Sequence, residues 1–375
     1  MLAQFAGTSL WFAGNAVLGD LQRDWGLDAS AVGSLTSAVQ LGFIVGTLVF
    51  ALLNIADRLA PRLVFLACCL LGAAANATIV LLPEGLTGLL IMRFATGFCL
   101  AGIYPVGMKI AVSWFDKGLG HALGLLVGAL VLGTAFPHLL KAVGGDLEWQ
   151  TVLLAVSGLA ATGGIALFLL VPDGPHLPKK TAFDPRALTR VFRDADFRAA
   201  AFGYFGHMWE LYAFWAFVPA FLAVHAGAID VPLWSFIVIA VGFVGCAVGG
   251  LASSRWGSAR VAAVQIALSG ALCLCAPLLP GLPTAAVLAV LVLWGTVVVG
   301  DSPQFSALTA RTAPRELVGT ALTIVTSIGF LLTIPAIQLI TELTTSMEPA
   351  TALLALAPGP ALGLLALRRL VRAGR

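Results

Sequence analysis

Residues 93–109 read RFATGFCLAGIYPVGMK, an apolar stretch with a cation at each end. Its glycine-proline frame, Gly97, Gly102 and Pro105, returns 198 positions later as Gly295, Gly300 and Pro303 in GTVVVGDSP. That displacement is slightly more than half of the 375-residue chain. Two further pairs keep nearly the same offset: Pro137 and Pro335 lie 198 apart, and Arg58 and Arg255 lie 197 apart. The chain reads as one unit written twice.

Composition fixes the solvent of that unit. Hydrophobic residues make up 59% of the chain and charged residues 10%, with a mean hydropathy of +0.99, far from the roughly 25% charged typical of soluble domains. The chain is therefore expected to be an all-α polytopic membrane protein. Its net charge of +3 gives no footing for a nucleic-acid partner. The six cysteines all fall in apolar runs without C-x-x-C spacing, so they read as packing residues and no metal or other cofactor is expected.

Crossing a hydrocarbon core of about 30 Å takes about 20 apolar residues. Runs of that kind fall near 2–18, 31–53, 63–82, 86–108, 119–140 and 149–171, then near 198–224, 233–252, 261–279, 284–308, 317–340 and 350–367. Twelve transmembrane helices in two six-helix halves related by pseudo-twofold symmetry follow. Residues 1–171 form the first half, 172–197 a linker and 198–375 the second half. The linker, rich in proline and charge, reads as a solvated tether or as a short surface helix over Pro185 to Phe197. Lysine and arginine collect in the loops after even-numbered spans, in the linker and in the tail, whereas the opposite side holds only Arg23 and Lys141. By the positive-inside rule both termini are expected in the cytoplasm of a multi-pass cell (inner) membrane protein. Parallel halves of six spans are a known transporter architecture.

The loop after the second span, LNIADRLAPR, resembles the major facilitator signature G-x-x-x-D-R-x-G-R-R through Asp57, Arg58 and Arg62, with departures at Leu53, Ala60 and Pro61. Its echo after the eighth span keeps Gly250, Arg255 and Gly257, with Ser254 in the acidic position. Arg93 and Gly97 resemble the R-x-x-x-G pattern of that superfamily's fourth span, and AGIYP followed by SWF is similar to its anion porters, of nitrate/nitrite or organic-anion type. The paired arginines of nitrate porters, in the second and eighth spans, are absent, and the drug-antiporter motif of the fifth span is only partly kept, as Gly124, Gly128, Gly133 and Pro137. The resemblance implies a secondary active transporter that works by alternating access. Asp57, Arg58 and Arg255, cytoplasmic charges near the ends of helices that must part, are expected to form a conformational gate.

A charge at a helix centre costs about 2.5–3.5 kcal/mol on insertion scales, so charges kept there usually face a bundle interior. Arg93 and Lys109 are separated by about 24 Å of rise and about 160° of rotation, and so cannot hold one small anion together. Arg93 shares a face with Gly97 and Tyr104 and reads either as counter-charge to an anionic substrate or as a structural charge bonding backbone carbonyls near the first span. Glu210 lies at the midpoint of the seventh span, one turn after His207; it is a proton carrier or a permanent partner of His207. Asp301, with Gln304 one turn on and Trp294 two turns back, is a second proton site or half of a salt bridge between the halves. Uncharged stripes add Thr36, Gln40 and Thr47 in the second span and Trp11 with Asn15 in the first, each able to serve solute contact or helix pairing.

No H-E-x-x-H and no phosphate-binding G-x-x-x-x-G-K-[ST] occurs, so neither an enzyme nor ATP-driven pumping is expected. The expectation is a monomeric, proton-coupled symporter of a small organic or inorganic anion. Arg93, Tyr104, Asn15, Gln40, Trp11, Trp294 and Gln304 would bind the solute, and Glu210, Asp301 and His207 would couple protons. The alternatives are proton-driven export of amphipathic compounds, favoured by Trp11, Trp209, Trp215 and Trp294, and a solute sensor that does not transport.

Overall fold

A computed structural model describes residues 1–114, 119–145, 147–172, 174–175, 187–225, 227 and 229–374. Among these residues helix is the only regular structure, as lipid demands, since a helix pairs its own backbone groups where no water is available. Eleven helical segments among the described residues are long and apolar enough to cross a membrane. The second to sixth spans are Ala31–Leu52, Pro61–Thr78, Leu86–Val112, Leu119–Val143 and Trp149–Leu170. The seventh, Ala195–His225, begins where the Asp194 carboxylate accepts from the amides of Asp196 and Phe197. The eighth is Val231–Ala240 continued by Gly242–Trp256. Asp230 caps its start through Leu233, and Gly257, at φ +81°, ends it in a conformation that disfavours any Cβ. Ser258–Cys275, Thr284–Gly300 with Ser302–Thr312, Val318–Ser346 and the stretch closing with Pro358–Arg372 complete the set.

Two expectations need correction. The first span is not one helix over 2–18 but three pieces, Leu2–Thr8, Ala13–Ala16 and Leu18–Trp25. Together they run antiparallel to the fourth span through the thickness of the bundle. Gln4 lies at Gly107, Gly7 at Ile103 and Leu10 at Arg93, and Asp24 accepts from the indole of Trp149 at the far end. The surface helix expected over 185–197 is only Ala187–Val191, because Ala195 onward already belongs to the seventh span; residues 185 and 186 lie outside the described residues.

The sequence repeat is a repeat of contacts. A Cβ at Gly97 would sit 2.0 Å from the Val39 carbonyl oxygen, and one at Gly295 would sit 1.8 Å from that of Val238. Gly46 against the Phe98 carbonyl is matched by Gly245 against Thr296, and Gly102 against Cys68 by Gly300 against Gln265. The second and fourth spans thus touch backbone to backbone, as do the eighth and tenth. The copies differ at the proline. The fourth span passes Pro105 unbroken, whereas the tenth breaks at Asp301 and the Val299 carbonyl, four residues before Pro303, accepts instead from the Cys246 thiol at 3.4 Å.

The first six spans meet the last six along two seams. On one, a Cβ at Gly33 would lie 3.0 Å from Thr341 Cβ, and Gln338 donates to Ser37 at 2.8 Å. On the other, Gly124 and Gly128 of the fifth span face Cys246 and Phe243 of the eighth. The two basic residues at the end away from the termini, Arg23 and Lys141, both meet Asp20, at 2.5 and 2.6 Å. Leucines such as Leu71, Leu169, Leu170 and Leu251 stay exposed on the flanks, as lipid-facing residues do.

Candidate functional site

The site grows from the break in the first span. Trp11 N pairs with Thr8 O and Ala16 N with Phe12 O, and the carbonyls between them look elsewhere. The Arg93 guanidinium, fully buried, reaches them from the fourth span: Nη1 donates to Leu10 O at 3.1 Å and Nη2 donates to Trp11 O. Nη1 also donates to Asn76 Oδ1 at 3.3 Å, and Asn76 Nδ2 donates to Ser157 Oγ and Leu153 O. An open carbonyl in hydrocarbon costs several kcal/mol, and arginine, with five donors in a rigid fork, closes two of them at once. The first six spans hold their buried cation in this way. Of the two readings open for Arg93, the carbonyl-bonding one describes this conformation.

In the last six spans the buried charges are acidic. Glu210 Oε1 accepts from Trp294 Nε1 at 2.6 Å, from Cys273 Sγ at 3.3 Å and from Ser269 Oγ. All three donors are neutral. Trp294 is held for this by stacking on Phe214, with centroids 4.6 Å apart. His207 turns away from Glu210: its Nδ1 lies 2.8 Å from Oδ1 of Asp301, both side chains buried. The expected alternative of a Glu210–His207 bond is thereby corrected. One turn of helix separates the two residues along the chain, yet the ninth and tenth spans give each its own partner. Asp301 caps the break before Pro303, where its carbonyl accepts from the backbone amide of Gln304. The two clusters occupy corresponding places, one between the first, third and fourth spans and the other between the seventh, ninth and tenth.

Between them lies a block of rings. Trp11 stacks on Phe330 at 5.5 Å and lies 5.0 Å from Phe43, 5.6 Å from Tyr212 and 6.4 Å from Tyr104; Phe43 and Phe330 are 4.4 Å apart. Rings of the first, second and fourth spans thus meet rings of the seventh and eleventh. Trp11 Nε1 donates to Gln40 Oε1 at 3.2 Å, and Asn15 Nδ2 donates to Thr36 Oγ1 at 2.8 Å. Thr36 and Gln40 of the second span's polar stripe are therefore engaged by the first span, whereas the Thr47 hydroxyl is buried without a partner.

The expected solute set thus divides. Trp11, Gln40 and Tyr104 gather at the ring block and Asn15 bonds to Thr36, whereas Trp294 belongs to the Glu210 cluster and Gln304 to the turn after Asp301. Of the tryptophans that favoured amphipathic solutes, Trp215 joins the block, but Trp209 sits against the twelfth span, donating to Ala355 O. Of the gate residues, Arg58 and Arg255 are exposed at the end bearing the termini, and the Asp57 side chain lies outside the described residues. Sequence reasoning passed over Ser269, Cys273 and Asn76; the four-residue spacing of the first two in the ninth span was the available signal. Among the described residues no group of three or more His, Cys, Asp or Glu could hold a metal.

A family model, Major Facilitator Superfamily, matches residues 1–336. The chain belongs to the major facilitator superfamily. None of the curated proteins compared with it matches. Membership makes this major facilitator protein a membrane transporter in general terms, one that handles a solute across a lipid bilayer. The paired six-span packing fits that assignment, with interior charges on both sides of an aromatic plane.

Proposed function

We propose that the protein is a proton-coupled secondary transporter of a small solute. In this reading the first six spans and the last six, the latter starting with the helix at Ala195, are the halves that rock about a central site, and the segment between them joins them. Both termini face the cytoplasm of the cell membrane, and a single chain is the working unit. The observation that carries the reading is the pair of buried carboxylates, Glu210 and Asp301, met by neutral donors and a histidine. An acid surrounded this way takes up and releases a proton without first breaking a lysine or arginine pair, and intramembrane acids are kept for such work. The ring block is the solute site, because a solute seated there touches both halves. Asp57, Arg58 and Arg255, at helix ends on the terminal side, regulate the opening of that side.

The small-anion reading retains one observation of its own. Arg93 Nε is buried without a partner, and a rearranged first span would free the rest of the guanidinium.

The test is reconstitution in proteoliposomes with an imposed pH gradient and a panel of neutral aromatic, carboxylate, inorganic-anion and quaternary-ammonium solutes. Flux of one class should rise with the gradient and lose that dependence in the Glu210→Gln, Asp301→Asn double variant. Gradient-driven flux that survives the double substitution removes the proton assignment, and solute binding without counterflow would make the protein a sensor.

A further inference from the structure

Three buried polar atoms have no partner on side chains in or next to the ring block: Nε2 of Gln40, which is bonded to Trp11, Nε1 of Trp215, which packs on Tyr212, and Oδ1 of Asn15, which is bonded to Thr36 one helical turn before Gln40. Gln40 and Trp215 are fully buried and Asn15 is 9% exposed. Each side chain is already held by its other contacts. Trp11 occupies Gln40 Oε1, and Thr36 occupies Asn15 Nδ2. The Trp215 indole packs edge-on against Phe12 at 6.2 Å and Tyr212 at 5.3 Å. What is left over is two donors and one acceptor, on side chains that touch Trp11, Tyr212 and Thr36.

A buried donor or acceptor left unmade costs about 1–3 kcal/mol, and native proteins keep few of them. Three on side chains of the first, second and seventh spans, two of them in contact with the ring block, point to a ligand that completes them. The donors ask for acceptor atoms, which a quaternary ammonium lacks. The acceptor asks for an N–H or O–H, which nitrate and the halides lack. The cation that touches this segment, Arg93, is turned to the carbonyls of Leu10 and Trp11. The rings ask for a flat apolar body.

Resting on the transport reading above, we propose that the solute is an uncharged, planar ring compound with hydrogen-bond acceptors and an N–H or O–H donor, such as a heteroaromatic amide. Gln40 and Trp215 donate to it, Asn15 accepts from it, and the rings of both halves stack on it.

The experiment is equilibrium binding to the purified full-length protein at neutral pH, read by quenching of tryptophan fluorescence and by calorimetry. The probes are nicotinamide, its anionic shape-mate benzoate, nitrate and tetraethylammonium. Nicotinamide should bind saturably and at least tenfold more tightly than the other three. Trp215→Phe keeps the ring and removes the free N–H, so it should weaken nicotinamide about tenfold while leaving the melting temperature of the empty protein unchanged. Asn15→Ala should weaken it similarly. The proposal is overturned if benzoate, nitrate or tetraethylammonium binds more tightly than nicotinamide, if none of the four binds, or if Trp215→Phe binds nicotinamide like the parent. Failure of the transport reading looks different: nicotinamide would bind as described but show no counterflow in vesicles. Gradient-driven benzoate flux without nicotinamide binding would keep the transporter and discard the solute class.

Discussion

His207 and Asp301 meet at 2.8 Å in a fully buried contact that ties the seventh span to the break in the tenth. Removing one member of a buried pair leaves the other charge unpaired, at a cost of about 3–5 kcal/mol. His207→Ala is therefore expected to lower the melting temperature in detergent more than the His207→Ala, Asp301→Asn double variant does. A double-mutant cycle should return a coupling above about 1 kcal/mol. Additive single effects would show that the contact contributes no energy.

Arg93 holds the broken first span through the carbonyls of Leu10 and Trp11. Arg93→Leu should destabilise the solute-free protein by on the order of 3 kcal/mol, since buried acceptors lose their donors. Arg93→Lys should fall between, because one ammonium lacks the planar fork. Melting in detergent without added solute decides the matter. An Arg93→Leu protein that melts like the parent but fails to bind anions would make Arg93 a solute residue instead.

Gly97 and Gly295 are positions where backbone meets backbone. Gly97→Ala and Gly295→Ala would each force a carbonyl aside, at a cost of about 1–3 kcal/mol each. Gly158 in the sixth span has nothing within 4 Å of a built Cβ. Gly158→Ala should be neutral or stabilise by about 0.5–1 kcal/mol through helix propensity. Equal effects at all three positions would argue against close packing as the reason for the repeated glycines.

The seam between the second and eleventh spans is closed at the end away from the termini. A Gly33 Cβ would lie 3.0 Å from Thr341 Cβ, near the roughly 3.5–4.5 Å spacing of a disulfide. In a Cys275→Ser background, Gly33→Cys with Thr341→Cys should oxidise readily and arrest flux in vesicles, and a reductant should restore it. Full flux in the oxidised state would mean that this seam does not open during transport.

The span boundaries were legible because hydropathy is local: Ala31–Leu52, Trp149–Leu170 and Thr284–Thr312 appear wherever apolar runs of crossing length occur. The first span was misjudged over 2–18 because its length and apolarity are those of a helix, while its break depends on an arginine some 80 residues away. His207 and Glu210 looked like partners for a similar reason. Spacing on one helix shows which groups are neighbours, and it carries no information about what an adjacent helix offers each of them.

The stretch 93–109 and its copy thus mark the division. By itself the sequence determined a helical membrane protein written twice, since apolar length and the glycine-proline offset need no partner to be read. It also named the few polar residues that matter, because charges are costly in lipid and therefore stand out. Only the tertiary structure decided what they do. It gave Arg93 to the first span's carbonyls, Glu210 to Ser269, Cys273 and Trp294, and Asp301 to His207; Arg93 lies 83 residues from Leu10, and Glu210 lies 59, 63 and 84 residues from its three donors. Hydrogen bonds of that range form only once the helices have packed, and their donors are chosen by which faces the close-approach glycines bring together.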